Sequence, residues 1–117
     1  MIFDEAITVH SQWKQKLSAY LRNPDHSINP AVLESDSVCE LGKWIVANTT
    51  RYRDHADFTT LRREHAAFHK AAADVVRRAD QGARVVAEVS LGSGSSYSTS
   101  SSNVVQAIMK MKYQTKA

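Results

Sequence analysis

The chain has 117 residues, 43% of them hydrophobic and 23% charged, with a formal net charge of +3. That composition suits one globular domain, residues 1–117, with a modest core. A single cysteine excludes an internal disulfide, and no apolar run is long enough to cross a bilayer. The basic excess sits in Arg62-Arg63, Arg77-Arg78 and Lys110, Lys112 and Lys116. It is mild and not interleaved with aromatics, so nucleic acid is not an expected partner. Met1 to Glu5 shows no basic region followed by an apolar stretch, so the expected location is cytoplasmic.

Phe3 to Arg22 reads as a helix, because Ala6, Val9, Trp13, Leu17 and Tyr20 recur at helical spacing. His10 falls on the inner edge of that stripe. The helix should stop at Asn23-Pro24, since the residue before proline avoids helical geometry. Asp25 to Ser35 is a connector with one helical turn, capped by Asn29 and opened by Pro30. Leu33 or Val32 should tuck under the bundle.

Ser37 and Glu40 form a capping box, which puts Cys39 in the first turn of the next helix. Unpaired backbone N–H groups and the helix dipole favour a thiolate there. The helix runs to about Thr49, with Leu41, Trp44 and Ile45 inward. Gly42 leaves space for a close neighbour. After a link at Thr50 to Arg53, Asp54 can cap a long helix that runs to about Asp80. Phe58, Leu61, His65, Phe68, His69, Ala72, Val75 and Val76 line its inner side, and Arg62, Arg63, Lys70, Arg77 and Arg78 its solvated side. Gly82 can take a left-handed cap.

Ala83 to Leu91 reads as a short helix with Val85, Val86 and Val89 inward. Gly92 to Ser102, rich in serine and glycine, reads as a break. Asn103 to Tyr113 is a last helix with Val104, Val105, Ile108 and Met111 inward. No strand-like alternation competes. The expected fold is all-α, a four-helix bundle with a short extra helix carrying the Cys ligand.

The chemistry centres on His65-Ala66-Ala67-Phe68-His69. Two imidazoles four residues apart share one helix face and can grip a single ion. With Cys39 and His10 the chain offers four nitrogen and sulfur donors from three helices, the set zinc prefers in a tetrahedron. One thiolate with three imidazoles suits zinc better than calcium, magnesium or manganese. Four protein ligands leave no open position, which argues for a structural or regulatory site and against an enzyme. Trp13, Trp44 and Phe68 are core residues that also shield the imidazoles. His26 and His55 have no apolar company and should be exposed, with His55 as reserve ligand.

Three motifs carry a family resemblance: His10-Ser11-Gln12-Trp13, Cys39-Glu40-Leu41-Gly42-Lys43-Trp44 and His65-Ala66-Ala67-Phe68-His69. In this order they resemble the H-x-x-W, C-x-L-G-x-W and H-x-x-F-H pattern of the bacterial chemoreceptor zinc-binding (CZB) domain. The resemblance implies zinc ligands at His10, Cys39, His65 and His69. It implies a cytoplasmic sensory module, homodimeric, attached to a chemoreceptor signalling domain or a diguanylate cyclase. It also implies a response to zinc, or to oxidants such as hypochlorous acid through the cysteine. No output domain is present in this sequence.

Three rival readings compete. A zinc metalloprotease needs Glu directly after the first His, where Ala66 stands. A di-iron carrier of the hemerythrin kind needs bridging carboxylates at spacings the chain lacks. A helical dimerisation module with a purely structural zinc is the remaining alternative.

Overall fold

The computed structural model describes residues 2–35, 39–90 and 95–114. Six helices follow in order: α1 (Ile2–Arg22), α2 (Pro30–Glu34), α3 (Glu40–Tyr52), α4 (Ala56–Asp80), α5 (Val86–Ser90) and α6 (Ser96–Gln114). No strand occurs among the described residues. The all-α bundle expected from the apolar spacing is present, with α2 and α5 as short extra pieces.

The spine of the molecule is α4, which packs most extensively on α6 and carries α2 on another side. Its inward positions Phe58, Leu61, Val75 and Val76 are essentially fully buried, as are Leu17 of α1 and Ile108 and Met111 of α6. Burying each such side chain is worth about 1.5–3 kcal/mol relative to leaving it in water.

Local chemistry sets most helix ends. The Asn29 side chain accepts the Ala31 N–H at 2.9 Å, and Pro30 occupies the first position of α2. Leu33 packs against the core, whereas Val32 is exposed. Gly82 takes φ +95°, the left-handed region, just after α4.

Three expected boundaries move. First, α3 starts at Glu40 with Cys39 as its N-cap, so the cysteine stands at the threshold of the helix and not inside its first turn. Ser37, the expected cap, lies outside the described residues. The helix then continues through the expected link to Tyr52. Second, α4 is capped by His55, not Asp54, with no side-chain cap bond. His55 is half-buried beside the Tyr52 ring, with centroids 6.2 Å apart, so it is not the exposed histidine its neighbours implied.

Third, the serine-rich break is largely helix, since Ser96 to Ser102 belong to α6. Residues 91–94 lie outside the described residues. Serine is only mildly unfavourable inside a helix. Here Ser95 accepts the Ser98 N–H at 3.0 Å and donates to the Glu88 carbonyl at 2.7 Å, which starts α6 and ties it to α5. Burial of Tyr97 and Val104 fixes the rest.

Arg78, expected in solvent, is half-buried and clamps α5 onto α4. Its guanidinium donates to both Glu88 oxygens at 2.8 and 2.7 Å. The Arg78 hydrogen bonds hold the Glu88 carboxyl below its usual range, against the opposing effect of burial. A depressed carboxylate stabilises the fold above the unfolded-state value, about 4.3, and loses that contribution as pH falls through the folded value. Glu88→Gln should therefore cost about 0.5–1 kcal/mol at pH 7, a range set by the pair's partial exposure. Urea unfolding of both proteins at pH 7 and pH 3 checks it, since the difference should shrink at the acid pH.

Candidate metal centre

Cys39 reaches the site because α3 is pinned from both sides by Trp44. The Trp44 ring meets Phe3 of α1 edge-on at 4.9 Å and Phe58 of α4 at 6.0 Å. One turn earlier, Leu41 is buried in the same core. The Cys39 sulfur then accepts the Gly42 N–H at 3.3 Å, so the thiol acts as the helix cap. That bond and the N-terminal end of α3 both favour negative charge on sulfur.

His65 and His69 project from one face of α4, one turn apart, and both are buried. Their Nε2 atoms lie 3.1 Å apart. The Cys39 sulfur lies 3.2 Å from the first and 3.6 Å from the second. Around a tetrahedral zinc, with bonds of about 2.0–2.1 Å to nitrogen and 2.3 Å to sulfur, two nitrogens sit about 3.3 Å apart and nitrogen and sulfur about 3.5 Å. The three donors are therefore already spaced for one zinc ion. Two imidazole nitrogens at such a distance need a proton or cation between them.

The orientation of His69 is fixed from behind. Its Nδ1 donates to the Leu33 carbonyl at 2.7 Å, which leaves Nε2 as the lone-pair nitrogen facing Cys39 and His65. Leu33 lies in the last turn of α2, where carbonyls have no partner within the helix. An ion pair of Arg77 with Glu34 at 2.7 Å helps hold α2 against α4.

His10 is not part of this group. Among the described residues the convergent donors are Cys39, His65 and His69. The His10 ring lies 4.5 Å from Phe68, and its Nε2 is hydrogen-bonded to the Ser101 hydroxyl at 2.7 Å. It lines the same cavity as the cluster, about 170 Å3, with Trp13, Leu17 and Tyr97 among the apolar walls. Burial lowers the pKa of His10, and the nearby Lys14 charge adds to the effect. His55, the reserve donor, stands ten residues before His65, about 15 Å away along the axis of α4.

A family model for the chemoreceptor zinc-binding domain matches residues 10–76, more than half of the chain. The chain belongs to the chemoreceptor zinc-binding domain family. No curated protein and no solved structure is a match for it. The family is zinc-binding, and the Cys39–His65–His69 cluster is able to hold the metal. It is a sensory family, not a catalytic one. No helix among the described residues is long and apolar enough to cross a membrane.

Sequence patterning missed two groups at this centre, the Leu33 carbonyl and Ser101. The first is backbone, which no residue type announces. The second lies in a serine-rich stretch whose composition masks a helix face.

Proposed function

We propose that this chain is a zinc-responsive sensory domain of bacterial signalling, with His10, Cys39, His65 and His69 as its ligands. The observation that carries the reading is the convergence of one thiol and two imidazole nitrogens at zinc spacing. A bound zinc ion would supply a tetrahedral tie between side chains of separate helices. Cys39 supplies the soft donor, His65 and His69 the rigid pair on α4, and His10 the fourth donor from α1. Residues 1–117 form a single domain, which works as a cytoplasmic homodimer and passes its state to a chemotaxis or cyclic-di-GMP output.

Cys39 is also the oxidisable ligand. Its thiolate takes the oxygen of hypochlorous acid, chloride leaves, and the resulting sulfenic acid is a poorer donor. Without that sulfur, α3 loses its only proposed tie to the pair on α4.

Competition of zinc against a chelator, with and without hypochlorous acid, tests the reading. One zinc per chain is expected, with weaker retention after oxidation and recovery on reduction. Zinc affinity indifferent to oxidation would leave the structural dimerisation module as the better account.

A further inference from the structure

We propose that Ser101 is the resting partner of His10, and that His10 exchanges the serine for the metal when the fourth position fills. The inference rests on the assignment of His10 as the fourth ligand and adds a regulatory contact to it.

The geometry defines the exchange. His10 stands on α1 and Ser101 on α6, and 2.7 Å separates Nε2 from the hydroxyl oxygen. Suppose the serine O–H donates to Nε2; the lone pair a metal needs is then occupied. Suppose instead that Nε2–H donates to the serine; that nitrogen then carries a proton and cannot ligate. In either tautomer Nε2 is closed to a metal while the bond stands.

His10 is nevertheless beside the cluster. Its ring rests on Phe68, which lies between His65 and His69 in sequence and packs on Tyr97 at 5.4 Å. Tyr97 is one turn before Ser101 on α6. His10 and the three convergent donors line one cavity. A change of rotamer moves the imidazole without moving the helix, because staggered wells are the natural stops for such a side chain.

Filling the fourth position therefore costs one hydrogen bond between α1 and α6. A net intramolecular bond of this kind is worth about a two- to tenfold change in an equilibrium. It makes α6 a participant in metal capture, although it supplies no ligand. Capture and the seating of α6 against α1 then oppose each other.

The test uses the full chain, zinc in competition with a chelator, and cobalt(II) as a spectroscopic substitute. Ser101→Ala should tighten zinc binding about two- to tenfold, and Ser101→Thr, which keeps the hydroxyl, should stay near wild type. In a His10→Ala background, Ser101→Ala should change nothing. Cobalt absorption should reach its full tetrahedral intensity at lower metal concentration in Ser101→Ala. Far-UV circular dichroism shows that each variant folds. Unchanged or weaker binding by Ser101→Ala, in a chain whose wild type takes up one zinc, overturns the exchange alone. A wild type that takes up no zinc overturns the metal reading and the exchange with it.

Discussion

Cys39→Ala is expected to weaken zinc binding by about two to three orders of magnitude while leaving the bundle folded. A four-ligand zinc site is worth about 10–16 kcal/mol at neutral pH. One ligand's share is roughly 3–4 kcal/mol, and each 1.4 kcal/mol is tenfold in affinity. The fold should survive because Cys39 is only half-buried, while Leu41, Ile45 and the Trp44 aromatic contacts hold α3. The lost thiol cap costs about 0.5–1 kcal/mol more. The proposed oxidant response should be absent from the same variant, since the sequence holds no other cysteine. His26→Ala is the matched control, for that side chain is 74% exposed and far from the donors in sequence. Isothermal titration against a competing chelator measures all three proteins. Equal affinity in Cys39→Ala and wild type would remove the thiol from the site.

The helices were legible wherever apolar residues recur over several turns. The long stripe from Phe58 to Val76 is a pattern only a helix satisfies, and every residue of it named from spacing is buried. Boundaries were less legible, because caps are decided by a few atoms. A capping box pointed to Ser37, yet the sulfur of Cys39 accepts the Gly42 N–H and takes that role at the observed start. At Ser96 to Ser102, composition argued for a break, but the Ser95 cap and the buried Tyr97 outweigh serine's small intrinsic cost.

The site was legible for a related reason. His65 and His69 are bound together by helical periodicity alone, so their convergence is a local property. Bringing Cys39 to them depends on how α3 docks through Trp44, which is tertiary; in the sequence only donor chemistry and the motif resemblance point to it. His10 is where pattern and geometry part. Its position in the motif names it a donor, while its hydrogen bond to Ser101 holds it on another partner. The Ser101 contact is invisible to spacing, since that serine lies far from His10 in sequence.

Saturating zinc is expected to raise the unfolding free energy by about 4 kcal/mol when free zinc stands a thousandfold above its dissociation constant. For a chain of this length, that corresponds to roughly 12–24 °C in Tm. The gain should not be spread evenly. Among the described residues α3 packs only lightly on α1 and α4, while α4 and α6 pack extensively on one another. Without metal, α3 depends on Leu41, Ile45 and the Trp44 cluster, and should open locally at less cost than the spine. Zinc held by Cys39, the N-cap of α3, would tie that helix to the spine at α4. Amide hydrogen exchange should therefore slow most between Glu40 and Tyr52 on adding zinc, with smaller changes along α4. Uniform protection across all helices would mean that the ion acts only through global stability. A Tm indifferent to zinc would mean that Cys39, His65 and His69, for all their spacing, do not share one ion.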